Sequence, residues 1–290
     1  MSTKKIERII QSNQTHFVGD GFKVHNIIPG MQGLSMQRMS PFIMMDYNAP
    51  HYFSPSETPR GVDVHPHRGF ETVTIAYQGK VEHHDSSGGG GIIEEGDVQW
   101  MTAASGVLHK EFHEQEWSKK GGIFQMVQLW VNLPAKFKMS PPKYQALLNQ
   151  SIPKVHLDNN AGVLEVIAGA YNGIKGAAST FTEVHLLNVK LNHEGIADFN
   201  FPAHFNTAVL VLEGTIEIDG KTIPSNAFGL FENKGEAFSM FAPENAVVLV
   251  LSGEPILEPI AAHGPFVMNT REELMQAFHD FNEGKFGYLD

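Results

Sequence analysis

The segments HPHRGFETVTIAYQG (65–79) and GDVQWMTAASGVLHKEFH (96–113) decide both the fold and the chemistry expected of this chain. Each combines histidine with residues such as Val, Thr, Ile and Phe, which are typical of β-strands. In an extended strand, residues i and i+2 project from the same face, about 6.5–7 Å apart. His65 and His67 therefore direct two imidazoles to one face of the first segment.

The second segment repeats this arrangement with one imidazole and one carboxylate, because His109 and Glu111 also stand two residues apart. If the two strands are neighbours in a small barrel, three imidazoles and a carboxylate converge on one point. This donor set suits Fe(II), Mn, Ni, Cu or Zn and leaves a coordination position for a substrate or dioxygen. A lone histidine usually lies on a solvated face, but two paired motifs predict a metal site. Glu71 competes for the carboxylate position, since strand parity places it with the first two histidines.

Histidine supplies 15 of the 290 residues, and seven of these lie between residues 51 and 113. The chain has no cysteine, which excludes a disulfide scaffold, an iron–sulfur cluster, a thiolate zinc site and a cysteine nucleophile. Any metal chemistry therefore falls to imidazole and carboxylate groups. Among the remaining histidines, His83 and His84 point to opposite faces of their strand, so at most one can face the barrel, and we predict solvent exposure for both. For His113 we consider a supporting contact with the metal ligands.

Short β-rich segments between glycines and prolines predict a sandwich or barrel. The segment LEGTIEIDGKTI (212–223) predicts a hairpin with an Asp-Gly turn. A capping box at Thr270 and Glu273 predicts a helix near the C-terminus, which Gly284 ends. A shorter helix or turn is expected in SPPKYQALLNQ (140–150).

The sequence also contains an internal duplication. ETVTIAYQGKVEHHD (71–85) and NTAVLVLEGTIEIDG (206–220) share a strand, a glycine and a second, alternating strand. Matching Gly79 with Gly214 gives a spacing of 135 residues. This spacing is too long for a solenoid repeat and predicts two homologous β-domains.

We place the domain boundary within the Pro- and Lys-rich connector, with an N-terminal metal-binding domain at 1–135 and a C-terminal domain at 136–290. The duplication aligns Asn200 and Pro202 with the first two histidines. Proline has no coordinating side-chain atom, so the C-terminal domain is expected to lack metal ligands and to support the first barrel.

The balance of charge restricts the classes of partner. Aspartate and glutamate outnumber lysine and arginine by 32 to 21, for a formal net charge of −11, which argues against direct nucleic-acid binding. No apolar run reaches the roughly 18 residues of a membrane span. The N-terminus does not resemble a signal peptide. We therefore expect a soluble, cytoplasmic protein.

Several long motifs resemble those of the pirin family within the cupin superfamily. They are HPHRGFETVT (65–74), GDVQWMTAASGVLHKE (96–111), QLWVNLPAKFKMSPPKYQ (128–145) and HGPFVMNTREE (263–273). The resemblance spans nearly the whole chain. It implies an all-β bicupin, in which two jelly-roll β-barrels pack face to face and a short helix follows.

The resemblance also implies the composition of the site. The residues of this chain that match the metal ligands of the family are His65, His67, His109 and Glu111. Glu71 then becomes a structural carboxylate or one that orients a ligand imidazole. One divalent ion is implied, Fe(2+) first, with Mn, Ni, Co, Cu or Zn as alternatives. Glu111 is also the implied general base, which accepts the proton of a substrate hydroxyl.

Bacterial members that this chain resembles are quercetin 2,3-dioxygenases, which cleave a flavonol with dioxygen and release carbon monoxide. The implied function is therefore that of a mononuclear metal dioxygenase, an oxidoreductase. The alternative is a non-enzymatic, iron-dependent regulatory protein that binds a transcription factor or a metabolic enzyme. The dioxygenase and the regulatory protein would both need the same metal ligands. A monomer is expected, because the duplicated barrel supplies within one chain the contact that single cupins make by dimerising.

Overall fold

The computed structural model describes residues 2–11 and 14–290 of the chain, in which strands account for most of the regular structure. The strands of the first half are β1 (Ile6–Gln11), β2 (His16–Val18), β3 (Phe22–Ile28), β4 (Phe42–Phe53), β5 (Gly61–His67), β6 (Phe70–Gln78), β7 (Val81–Asp85), β8 (Gly90–Ile93), β9 (Val98–Thr102), β10 (Val107–His113), β11 (Gly122–Asn132) and β12 (Lys143–Leu147). Two short helices lie among them, α1 (Met36–Met39) and α2 (Gln115–Lys120).

The second half repeats this pattern of short strands. They are β13 (Lys154–Leu157), β14 (Gly162–Ala168), β15 (Ala170–Tyr171), β16 (Ile174–Lys175), β17 (Val184–Leu191), β18 (Gly195–Asn200), β19 (Asn206–Glu213), β20 (Thr215–Ile218), β21 (Lys221–Pro224), β22 (Ala227–Phe231), β23 (Ala237–Ala242), β24 (Ala246–Gly253), β25 (Ala261–His263) and β26 (Phe266–Met268). The helix α3 (Arg271–Asn282) follows the last strand. Single 3-10 turns occur at Met31–Gly33, Ala135–Phe137, Asn149–Ser151 and Asp158–Asn160.

Two barrels are built from four of the sheets. In the N-terminal barrel, a seven-stranded sheet (β12-β9-β6-β11-β4-β3-β2) faces a four-stranded sheet (β5-β10-β7-β8). In the C-terminal barrel, the corresponding sheets are β1-β22-β19-β24-β17-β14-β13 and β18-β23-β20-β21. All of the pairings within these sheets are antiparallel.

The largest apolar core lies between the barrels, where the two seven-stranded sheets pack against each other. Val73 and Ile75 of β6 and Leu129 of β11 belong to the same buried cluster as Leu210 of β19 and Leu249 of β24. Burying each such side chain contributes about 1.5–3 kcal/mol to folding. The predicted all-β architecture of two face-to-face barrels with a short C-terminal helix is thus confirmed.

Each barrel completes its large sheet with a strand from the other side of the predicted boundary between residues 135 and 136. Strand β1 pairs with β22, where Ile6 lies opposite Phe231. Strand β12 pairs with β9, where Leu147 lies opposite Val98. The helix or turn predicted for residues 140–150 is wrong at the centre of that segment. Lys143–Leu147 forms a strand there, because it pairs with the edge of β9.

Local turn chemistry agrees with the sequence. Gly79 and Gly214 follow equivalent strands and have positive φ angles of 89° and 72°, in keeping with the duplication. Asp219 and Gly220, with φ angles of 52° and 70°, connect β20 to β21 in the predicted hairpin.

The predicted C-terminal helix is present with its capping box. The Thr270 side chain accepts from the Glu273 backbone N–H, and the Glu273 carboxylate accepts from the Thr270 backbone N–H. Gly284 follows the end of the helix with a φ angle of 74°. Within the described part of the chain, no helix has the length and apolarity needed to cross a membrane.

Candidate metal centre

The predicted metal ligands meet inside the N-terminal barrel, on the small sheet. Strand β10 pairs with β5 so that His109 lies opposite His65. Burial alternates along β10, which turns the side chains of Val107, His109, Glu111 and His113 into the barrel. His67 and His109 are buried, whereas His65 is partly exposed. The histidine group therefore lies at an end of the barrel that solvent can reach.

The three imidazoles form a compact group. Each offers a nitrogen, and these nitrogens lie within 4.8 Å of one another. The ring centroids are separated by 4.1 Å between His65 and His109, 4.6 Å between His67 and His109, and 4.9 Å between His65 and His67. Among residues 2–11 and 14–290, this is the one group of three or more His, Asp or Glu side chains so arranged.

Backbone carbonyls orient two of the rings. The Nδ1 atom of His65 donates to the Asp63 carbonyl at 2.8 Å, and that of His67 donates to the Pro265 carbonyl at 3.4 Å. Because a carbonyl can only accept, each ring carries its proton on Nδ1 and leaves the Nε2 lone pair for a metal. Neither nitrogen of His109 has a hydrogen-bond partner, although both are buried. An unpartnered buried polar group costs about 1–3 kcal/mol, so the arrangement fits a bound metal ion.

The protonation states also fit this role. Burial, reinforced by the neighbouring histidines, holds the pKa values of His67 and His109 well below the usual value for histidine. Burial also lowers the pKa of His65. All three rings are therefore neutral at pH 7, and the neutral imidazole is the form that binds metals.

Glu111 lies beside the histidine group in a buried, polar environment. The single proton of the Thr74 hydroxyl is shared between two acceptors, the side-chain oxygen of Gln128 at 2.6 Å and Oε1 of Glu111 at 3.3 Å. Burial raises the pKa of Glu111 to about 7, with partial compensation by the Thr74 hydrogen bond. The carboxyl group can thus change protonation near neutral pH, as a general base requires. Its carboxylate is not part of the compact three-nitrogen group.

Glu71 faces the opposite direction from the histidines. Strand β5 ends at His67, and Glu71 belongs to β6, which lies in the other sheet of the barrel. Its carboxylate accepts from the Thr102 hydroxyl at 2.7 Å, and burial raises its pKa to about 7. It shares strand parity with Val73, which packs between the barrels. The parity argument that placed Glu71 with the histidines is therefore wrong. Of the two roles implied for Glu71, its contacts fit that of a structural carboxylate and not that of a group orienting a ligand imidazole.

His83 is a functional candidate that the sequence prediction missed. It was expected to be exposed, but it is fully buried and lies opposite Glu111 on the neighbouring strand β7. Its ring centroid lies 5.3 Å from that of His109 and 5.5 Å from that of Tyr144, on which it stacks at an interplanar angle of 10°. Burial lowers the pKa of His83 to about 4. The available signal was that His83 stands two residues after the apolar Val81 in VEHHD (81–85) and therefore shares its buried strand face.

The two other histidines of this region are not at the centre. His84 is exposed, as predicted, and lies 3.0 Å from the Glu82 carboxylate. His113 donates from Nε2 to the Gly21 carbonyl at 2.8 Å and packs among aromatic rings at the apolar end of the barrel. It lies about 13 Å along the strand from His109. The supporting contact considered for His113 is therefore wrong.

Aromatic rings form a wall beside the histidines. The centroids of Phe70 and Trp130 each lie 5.1 Å from that of His67. These two rings stack on each other at 4.1 Å. A flat apolar surface next to polar groups is typical of sites for planar small molecules.

The corresponding strands of the C-terminal barrel direct apolar side chains into its interior. Strands β18 and β23 place Phe199 opposite Phe238, as β5 and β10 place His65 opposite His109. The two phenyl rings stack with centroids 4.9 Å apart. In the described residues of this barrel, phenylalanine packing replaces the imidazole group.

The C-terminal segment of the chain supports the strand that carries His65 and His67. Arg68, directly after His67, donates to Asp280 of α3 at 2.8 Å and to the Ser105 carbonyl at 2.7 Å. Its guanidinium group lies 4.5 Å from the centre of the Phe286 ring. The Arg68 side chain is only 4% exposed. The turn that ends β5 is thus fixed by an ion pair that is largely removed from water.

Comparison with known proteins agrees with this architecture. The family model for pirin matches residues 21–131, and the model for the pirin C-terminal cupin domain matches residues 186–287. A Pseudomonas aeruginosa protein, provisionally named a quercetin 2,3-dioxygenase, is 46% identical over 283 residues, which cover 98% of both chains. The chain belongs to the pirin family. This pirin therefore has the bicupin fold that its motifs implied.

Solved structures extend the comparison. A crystal structure of quercetin 2,3-dioxygenase from Acinetobacter baumannii matches this pirin with a TM-score of 0.93 and 48% identity, and it covers 100% of both chains. A bacterial pirin from Escherichia coli, solved in complex with nickel(II), has a TM-score of 0.65 and 17% identity. That match covers 86% of this chain and 99% of the other, and it shows the shared fold.

Proposed function

We propose that this pirin is a metal-dependent dioxygenase that acts on a flavonol such as quercetin. The observation that carries the proposal is the compact group of three imidazoles on the same barrel face as the buried carboxyl group of Glu111. The names of its relatives from Pseudomonas aeruginosa and Acinetobacter baumannii support the same activity.

We propose His65, His67, His109 and Glu111 as the ligands of one divalent ion, Fe(2+). Nitrogen and oxygen donors of this kind also accept Mn, Ni, Co, Cu or Zn, and the general affinity order favours Cu over Fe. The ligands alone therefore do not identify the active ion, and turnover must be compared across these metals. When bound, such an ion supplies Lewis acidity and, in the case of iron, electron exchange with dioxygen.

The protein's own groups prepare the substrate. Glu111 accepts the proton of the flavonol 3-hydroxyl, and its partner Thr74 holds the carboxylate in position. The wall of Phe70 and Trp130 packs against a planar ring and excludes water from that side. The overall reaction consumes one dioxygen, adds both of its oxygen atoms to the products and releases one ring carbon as carbon monoxide.

Turnover with different metals tests this proposal. Metal-free protein is loaded with Fe(II), Mn, Ni, Co, Cu or Zn, and the loss of quercetin, the uptake of dioxygen and the release of carbon monoxide are measured. We expect carbon monoxide release well above that of the free ion for at least one metal. Release no greater than that of the free ions, together with specific capture of one protein partner, would instead favour the regulatory alternative.

Replacement of Glu111 tests the assignment of the base. We expect Glu111→Gln to lower turnover by about 10²–10⁴-fold, because the amide cannot accept the substrate proton. Metal content, measured in parallel, shows how much of the loss comes from weaker metal binding. Glu82→Gln, on the outer side of the neighbouring strand, is the matched control and should retain full turnover. Unchanged turnover in Glu111→Gln would contradict the role of this carboxylate.

A further inference from the structure

Several polar side chains inside the N-terminal barrel have no hydrogen-bond partner in the protein. Both ring nitrogens of His83, both amide atoms of Gln99 and the hydroxyl of Thr72 are buried and unpartnered. These side chains are no more than 1% exposed. Buried polar groups in folded proteins are nearly always hydrogen-bonded, so their concentration in one barrel indicates a polar ligand.

The strand register places two of these groups on either side of Glu111. On the small sheet, His83 lies directly opposite Glu111. On the large sheet, Gln99 lies directly opposite Thr74, whose hydroxyl contacts Glu111. Side chains directly opposite in antiparallel strands have Cβ atoms about 4.5–5.5 Å apart. Donor groups from both sheets are therefore close to the carboxylate.

The imidazole of His83 is held in one orientation by its neighbours. Tyr144 stacks on it nearly in parallel, and the ring centroid of His109 lies 5.3 Å away. His83 is not in the compact group of three histidines. It is thus placed to contact a molecule bound beside that group.

We propose that His83 and Gln99 donate hydrogen bonds to the carbonyl oxygen of a ligand whose adjacent hydroxyl faces Glu111. The site would then recognise planar α-hydroxy ketones, the chemical class to which flavonols belong, so the inference rests on the proposed function and narrows it. A hydroxyl beside a carbonyl presents a donor next to an acceptor. A carboxylate beside N–H donors presents the complementary pair.

Ligand affinity, measured without turnover, tests this inference. The cobalt(II)-loaded protein is titrated under anaerobic conditions with 3-hydroxyflavone and, separately, with azide, which has no carbonyl group. Visible absorption reports binding, and elemental analysis reports the cobalt content. The variants are His83→Phe, which retains a ring against Tyr144, and Gln99→Leu, which acts from the other sheet. His84→Phe, on the outer face of the same strand as His83, is the matched control.

We expect both test variants to retain one cobalt per chain and to bind 3-hydroxyflavone about tenfold more weakly, the effect of losing one hydrogen bond. Azide binding should change by less than about twofold, and His84→Phe should behave as the wild type. Loss of cobalt from His83→Phe, or equal weakening of azide and 3-hydroxyflavone, would overturn the inference by placing the effect on the metal. Wild-type affinity for 3-hydroxyflavone in both variants would overturn the roles of His83 and Gln99 but would leave the proposed function standing. Failure of the wild-type protein to bind 3-hydroxyflavone would overturn the proposed function as well.

Discussion

We expect His109→Ala to lower metal affinity by at least about 100-fold, so that the dialysed protein retains almost no metal. His109 is the central member of the histidine group, with both neighbouring imidazole centroids within 4.6 Å. Loss even of a group that only supports a ligand typically costs 10–100-fold in metal affinity. Elemental analysis after metal loading and dialysis measures the effect.

The same variant should remain folded. The buried His109 nitrogens have no hydrogen-bond partner in the protein, so in the absence of metal the substitution removes an unfavourable buried polar group while it creates a small cavity. These effects oppose each other, and we expect a similar thermal unfolding midpoint for the metal-free variant and the metal-free wild type. His84→Ala, with an outward-facing imidazole on the next strand, should bind metal normally. Full metal occupancy in His109→Ala would refute this ligand assignment.

We expect Asp280→Ala to reduce the free energy of unfolding by about 3–5 kcal/mol at pH 7, since it leaves the buried Arg68 guanidinium without its ion-pair partner. The Arg68 and Asp280 side chains are only 4% and 11% exposed. Urea denaturation of the two proteins measures the difference. Glu272→Ala, in the exposed first turn of the same helix, should change stability by less than about 0.5 kcal/mol.

The effect of Asp280 should also depend on pH in a defined direction. Hydrogen bonds from Lys285 and Arg68 hold the pKa of Asp280 well below its usual range. Its stabilising contribution is therefore complete above the unfolded-state pKa of about 4 and is lost as the pH falls further. The difference between wild type and Asp280→Ala should shrink below pH 4. Equal stability of the two proteins at pH 7 would contradict the role given to this ion pair.

The histidine group could be predicted from sequence because it depends on short-range geometry. A spacing of two residues fixes the relative direction of His65 and His67 in any extended strand. The Asp-Gly hairpin and the capping box at Thr270 were also predictable, since each is determined by a few adjacent residues. The assignment of the two barrels followed from the repeated strand–glycine pattern.

The positions that could not be predicted depend on contacts distant in sequence. Counting strand parity from His67 to Glu71 failed, because β5 ends at His67 and β6 begins in the other sheet. The burial of His83 follows from pairing between β7 and β10. The partners of β1 and β12 lie in sheets whose location a single sequence does not indicate.

Anomalous diffraction from crystals of the iron-loaded protein, measured at the iron absorption edge, locates the metal ion directly. We expect one strong peak per chain, within bonding distance of His65, His67 and His109, with the Glu111 carboxylate as the oxygen ligand. A peak elsewhere in the chain, or one at the histidines with the Glu111 carboxylate outside bonding distance, would contradict the proposed centre.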